Sequence, residues 1–287
     1  MEVTQVLHCR NILGEGPLWH PAENALFWVD ITGKKIQRFF PASGKSEVVE
    51  VPRMVSALGL RQAGGFVCAA EDGFHFWSPQ GIRFESIHDP EKGKQGARFN
   101  DGKADRAGRF WAGSMTPQGA SSALYRLDPN LSVHRMVSDI TISNGIGWSL
   151  DNKTMVYVDS NRLVIYAFDF DLKSGEISRQ RDFVRFENHA GVPDGLTVDG
   201  EGFIWCALYD GWKVVRINPD GNVVDEIHMP VSRPSSVAFG GQNLDELYIT
   251  SIAEGLSLEE NAQQPMAGDL FMVKPGVRGL PEPAFAG

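Results

Sequence analysis

What is scarce in this chain narrows it first. Its 287 residues hold three cysteines (Cys9, Cys68 and Cys206), an odd number with no CxxC spacing, so neither a disulfide framework nor a zinc knuckle is supported. No apolar stretch approaches the roughly 18 residues that a membrane span requires. The opening segment, MEVTQVLHCRN, lacks the basic start and apolar run of a secretion signal. We therefore expect a cytoplasmic protein with no membrane partner. The seven histidines are scattered, with no HExxH and no close pair, which counts against a zinc peptidase. GxSxG is missing as well, because GWSLD ends in Asp151, so a serine-hydrolase elbow is not expected. Gly14-Glu15-Gly16 begins like a dinucleotide fingerprint, but Trp19 stands where the third glycine belongs. The DFD of FDFDLKSGEIS has Ser174 where a calcium-binding EF-hand loop needs glycine. A formal net charge of −9 argues against nucleic acid as a partner and suits a small neutral or cationic molecule.

What is present is one pattern written six times. Its first segments are GEGPLW, VSALGL, NDGKAD, SNGIGW, PDGLTV and PSSVAF, each with a short polar residue near its start. We read that register as Glu15, Ser56, Asp101, Asn144, Asp194 and Ser235. An apolar run follows in each unit: LFWVD (26–30), GFVCAA (65–70), RFWAG (109–113), MVYVD (155–159), FIWCAL (203–208) and ELYIT (246–250). A third alternating run comes next, closed in five units by Pro41, Pro79, Pro129, Pro219 or Pro275, where a strand stops donating hydrogen bonds. A fourth, more polar run completes every unit except the last. Period-two runs between turn signals are strands, and four of them per unit of about 40–50 residues is the pattern of a propeller blade. The fold expected is all-β, a six-bladed β-propeller with four antiparallel strands per blade and little helix, forming a single domain over residues 1–287. The last unit lacks its fourth strand, and EVTQVLHCR at the N-terminus alternates suitably to supply it. That pairing would close the ring and remove two open sheet edges.

In a propeller the first strand of each blade is innermost, so the repeated polar residue should face the central channel. Glu15, Asn144 and Asp194 then offer three oxygen donors from blades one, four and five. Carboxylate and amide oxygens without histidine or cysteine select a hard or borderline divalent cation. Three protein ligands leave open positions for water and substrate, as catalytic sites do. Ser56 and Ser235 would line the channel, and Asp101 would add negative charge beside the cation. Tyr209 and Trp212, in ALYDGW, fall on a loop after the second strand of blade five, where either a pocket wall or ordinary packing would explain them.

Four blocks carry a resemblance: GEGPLWHPAENALFWVDI, RFNDGKADRAGRFWAGSM, SNGIGWSLDNKTMVYVDS and PDGLTVDGEGFIWCALYDG. Together they resemble the gluconolactonase family, also called senescence marker protein-30 or regucalcin, and the likeness runs along essentially the whole chain. The resemblance implies one divalent metal ion in the channel, whether calcium, zinc, manganese, magnesium or iron, held by Glu15, Asn144 and Asp194. It implies hydrolysis of a sugar lactone to the aldonic acid, with Asp194 as both ligand and general base and with Arg98 and Asn100 contacting substrate. Asp101 is a second candidate base, because its expected register also aims it at the channel. Mammalian members carry a sugar-contacting Glu on a longer loop, whereas GSMTPQGASSALYRL here is short and has no acid between Met115 and Leu124. Gln118 or Ser121 is the nearest polar substitute. The alternatives are a hydrolase of other esters, including organophosphates, and a non-catalytic calcium-binding regulator. The partner expected is a small sugar lactone, bound by a monomer or weak homo-oligomer.

Overall fold

A computed structural model describes residues 1–79, 81–117, 121–187 and 191–287. Its strands form six separate four-stranded antiparallel sheets. The innermost strands are Gly14–His20, Val55–Leu60, Arg98–Ala104, Ser143–Trp148, Val192–Val198 and Pro234–Gly240. Each contacts the innermost strand of the next blade, and the sixth contacts the first, so the ring closes around a channel. The second strands match the six apolar runs to within two residues, from Ala25–Asp30 in blade one to Glu246–Ser251 in blade six. Blade six is completed from the N-terminus, as expected: Thr4–Leu7 pairs antiparallel with Leu270–Val273 and forms the outer edge. The α-helix, Leu258–Gln263, lies in the blade-six insertion, where Ser257 and Glu260 cap each other's backbone.

Second strands bury residues of both faces because each blade is sandwiched between two others. Trp28, Trp111, Trp205, Tyr157 and Tyr248 on these strands are fully buried. The core is accordingly divided into six apolar clusters, one at each blade–blade interface. Two turns repeat a device that fixes the inner strand to the second. Asp105 and Asp199 are buried acids that accept the backbone N–H groups of their own turns. The same carboxylates accept the indole N–H of Trp111 at 2.9 Å and of Trp205 at 3.0 Å.

Every inner strand carries one extra residue relative to its partner, and the bulge falls at the same place in all six blades. The register shifts between Glu15 and Leu18, Val55 and Ala57, Phe99 and Asp101, Ser143 and Ile146, Pro193 and Leu196, and Pro234 and Val237. This corrects one expectation. In blade three the bulge puts Asn100 at the repeated register and Asp101 one place beyond it, where blades one, four and five have Gly16, Gly145 and Gly195. Ala104 is the strand end equivalent to Trp19 and Trp148, four places after Asn100, and Asp105 is already the turn acid.

The C-terminal tail crosses the far end of the channel. Gly200 N–H donates to Arg278 O at 2.7 Å, Phe285 N–H to Leu60 O at 2.7 Å and Ala286 N–H to Gly108 O at 2.9 Å, so the tail ties blades five, two and three. Lys103 on the inner strand pairs with Glu282 of the tail at 3.3 Å, and Phe285 is fully buried against the blade-two and blade-three core.

Two outcomes test this closure. Deleting residues 1–7 leaves Leu270–Val273 as an open edge, so the variant should associate further than the parent in sedimentation velocity and melt earlier, whereas unchanged sedimentation and melting would contradict it. Phe285→Ala should cost about 3–5 kcal/mol in urea unfolding; a loss below about 1 kcal/mol would show that the tail does not staple the ring.

Candidate metal centre

The three residues expected as ligands each lie at the bulge of their own inner strand. Glu15, Asn144 and Asp194 are all buried, at 6% exposure each. Two buried acids set the chain that leads into them. Asp30, at the end of a second strand, accepts Ile12 N–H at 3.1 Å and Leu13 N–H at 2.9 Å, just ahead of Glu15. Asp159 does the same for Thr141 N–H at 3.2 Å, just ahead of Asn144. On the other side the fit is tight: a Cβ on Gly145 would lie 2.6 Å from Leu196 N and 2.8 Å from Asp194 O. Glycine after the ligand therefore lets blades four and five approach at the site.

The electrostatics are those of an uncompensated acidic pair. Burial first, and then the charges of Asp194 and Asp101, push the Glu15 carboxyl well above the usual range, against the Gly16 N–H and Arg98. Burial and Asp101 raise Asp194 in the same way, opposed by the Gly195 N–H. Glu15 accepts from its neighbour, with Gly16 N–H donating to Oε2 at 3.0 Å. Burial lowers the Arg98 guanidinium, against the pull of Glu15, Glu254 and Glu71. Among the described residues no group of three Asp, Glu, His or Cys side chains could hold a metal, so Asp101 does not join Glu15 and Asp194 as a third carboxylate; with Asn144 the repeated register offers two carboxylates and an amide. A divalent cation fits this set: the donors are all oxygen, and its charge would offset the repulsion that raises both acids.

Asp101 is directed to the channel interior. It shares a cavity with Gly16, Leu58, Lys103, Leu196 and Glu282, and Gly102 N–H donates to its Oδ1 at 2.6 Å. Burial pushes its carboxyl up to about 6, with Lys103 opposing. Arg98 and Asn100 are joined to the ligands by hydrogen bonds. Arg98 Nη1 donates to Asn100 Oδ1 at 2.8 Å, and Asn100 Nδ2 donates to Asn144 Oδ1 at 3.0 Å and to Ser143 O at 2.7 Å. Ser235 lines the channel wall by donating to Gly14 O at 2.6 Å, and Ser56 by donating to Ala69 O at 3.2 Å. Gln118 lies outside the described residues. Ser121 bonds to Thr116 across the short loop at 3.0 Å, and its carbonyl accepts from Lys94 at 3.2 Å. Tyr209 stands near enough to Asp194 to feel its charge, with Arg233 over its ring at 4.9 Å. Sequence reasoning missed Asp30, Asp159 and Ser160. The repeated Val-Asp at 29–30 and 158–159 was the available signal.

A carboxyl whose pKa is raised in the fold costs stability once the pH exceeds its unfolded value, so the penalty at Glu15 is present at pH 7 and fades in acid. Metal-stripped Glu15→Gln should therefore melt at least about 2 °C above the stripped parent at pH 7 and lose the stabilisation that Ca²⁺ or Mn²⁺ gives the parent. A lower Tm for the stripped variant in scanning calorimetry would contradict this account.

Comparison with known proteins agrees with the geometry. A family model described as the SMP-30/Gluconolactonase/LRE-like region matches residues 13–253. The chain is 38% identical to regucalcin of Gallus gallus over 286 residues, covering 96% of this chain and 95% of that one. It is 37% identical to 6-deoxy-6-sulfogluconolactonase of Pseudomonas putida, covering 96% of each. Among solved structures it superposes on a calcium-binding regucalcin of Agrobacterium tumefaciens with a TM-score of 0.95 and 26% identity, covering 99% of this chain and 97% of the other. With six bulged inner strands and an acidic pair at their axis, the chain belongs to the SMP-30/gluconolactonase family.

Proposed function

We propose that this protein is a divalent-metal-dependent lactonase that hydrolyses a sugar lactone to its aldonic acid. The observation that carries the reading is the buried pair Glu15 and Asp194, whose carboxyls repel each other beside an amide oxygen at one end of the channel. Glu15, Asn144 and Asp194 would hold the metal. When bound, the ion supplies a Lewis acid for the lactone carbonyl and lowers the pKa of a coordinated water.

The remaining work falls to the chain's own groups. A carboxylate has two oxygens, so Asp194 can serve as a ligand through one and accept a proton through the other. It takes that proton as the water oxygen bonds to the carbonyl carbon. The ring C–O bond then breaks, and the same proton goes to the departing ring oxygen, leaving a hydroxy acid. Arg98 supplies a cation for the developing oxyanion or for ring hydroxyls. Asn100 holds that guanidinium on one side and touches Asn144 on the other, so its first task is to join substrate and metal groups. Asp101, one place past the register, is the reserve base. It faces Lys103 and the cavity, which favours Asp194 for the proton.

The calcium-binding description of the Agrobacterium relative favours one other reading, a regulator that binds Ca²⁺ without turnover. One assay separates the two. Acid release should be followed in a pH-stat for glucono-, xylono-, arabino- and galactono-lactones, after EDTA stripping and re-addition of single metals. The enzyme reading expects loss of activity on stripping and recovery with a particular ion. Under saturating metal, Asp194→Asn should lower kcat by about 10²–10⁴-fold and Asp101→Asn by less than about tenfold. A metal-loaded protein with no turnover on any lactone would establish the regulator instead. Near-parental rates in Asp194→Asn would remove it as the base.

A further inference from the structure

An amide ligand has a difficulty that a carboxylate lacks. Its oxygen attracts a cation and its NH₂ repels one, and the two ends have nearly the same shape. Something must decide which end of Asn144 faces the channel.

The deciding group is a hydroxyl on the neighbouring second strand's exit. Ser160 is 4% exposed and opens a short 3-10 turn, Ser160–Arg162. Its backbone is fixed on both sides: Ser160 N–H donates to Ile142 O at 3.1 Å, and Ser160 O accepts from Leu163 N–H at 2.9 Å. Ser160 Oγ lies 2.7 Å from Pro193 O and 2.8 Å from Asn144 Nδ2. A backbone carbonyl only accepts, so the single hydroxyl proton goes to Pro193 O. Toward Asn144 the same oxygen can only accept. The NH₂ end of Asn144 must then point at Ser160, and Oδ1 is left on the opposite side. Asn100 supplies an independent check, because its Nδ2 donates to that same Oδ1 at 3.0 Å. Pro193 immediately precedes Asp194, so the hydroxyl also ties the strand bearing one ligand to the strand bearing another.

We infer that Ser160 is the positioning residue of the metal centre, turning the Asn144 oxygen toward the cation and fixing its distance from the Asp194 strand. This rests on the metal-site reading above. Without the hydroxyl, a buried NH₂ loses its acceptor, and the flipped amide, with its repelling end toward the cation, is opposed by the Asn100 N–H alone. Groups that orient a ligand from behind commonly change metal affinity by about 10–100-fold when removed.

Thr and Val have the same shape and differ here only in the hydroxyl, which makes Ser160→Thr and Ser160→Val the informative pair. EDTA-stripped full-length protein is titrated with Mn²⁺ by isothermal calorimetry. Ser160→Val should bind about 10–100-fold more weakly than Ser160→Thr. In an Asn144→Asp background, whose carboxylate has no N–H end to place, the difference should shrink below about threefold. Equal affinities for the Thr and Val variants overturn the inference. So does a difference that persists undiminished with Asp at 144, since the hydroxyl would then act through packing alone. Glu15→Gln separates the two levels. If it binds Mn²⁺ like the parent, the metal-site reading fails; if it loses Mn²⁺ while the Thr and Val variants agree, only the role of Ser160 fails.

Discussion

One extra residue in each inner strand governs the rest of this molecule. A bulge leaves its residue outside the ladder and bends the strand locally. Placed at the same end of six strands that ring a channel, it makes a tier of six side chains near one axis: Glu15, Ser56, Asn100, Asn144, Asp194 and Ser235. Three of those positions, Glu15, Asn144 and Asp194, are filled by two carboxylates and an amide, all three buried. The other three carry no charge, and two of them bond back to strand carbonyls. Chemistry and channel wall are thus built from the same structural position by changing one side chain per blade.

The fold treats its other buried acids very differently from the pair in the tier. Asp30, Asp105, Asp159 and Asp199 are 0–1% exposed. Each is supplied with N–H donors from its own turn or from the chain entering an inner strand. These acids hold the scaffold. Glu15 and Asp194, by contrast, have a neighbouring backbone N–H each and face other acids. A buried charge left so poorly compensated costs stability, and such costs persist at functional positions where a ligand offsets them. The saturated acids do more than contrast with the pair, since Asp30 and Asp159 set the chain two residues ahead of Glu15 and Asn144.

The short loop after Met115 places the question of substrate in a specific part of the molecule. Its end is pinned by Lys94, which pairs with the buried Glu91 at 2.5 Å and reaches Ser121 O. Glu91 in turn accepts from Ser114 and Tyr125. The described ends of this segment are therefore tied into the blade-three sheet, with the Thr116 and Ser121 hydroxyls bonded to each other. Glu15, Asn144 and Asp194 lie on three other strands.

Much of this was legible along the chain, for a local reason. Alternation with period two, prolines at strand ends and a recurring polar residue are properties of neighbouring residues, and they survive without tertiary information. They were enough for six blades, for the strand borrowed from the N-terminus, and for placing Glu15, Asn144 and Asp194 at one repeated register. The bulge was not legible, because one inserted residue is visible only against the partner strand, and so the register position that Asn100 occupies is assigned from sequence to Asp101. Ser160 was hidden for a related reason. Its meaning lies in two hydrogen bonds to other segments, one to Asn144 and one to Pro193, which are 16 and 33 residues distant along the chain. Residue types and spacing decide that each blade brings a polar residue toward the axis; strand pairing and the packing of blade on blade decide which residue it is and which way it turns.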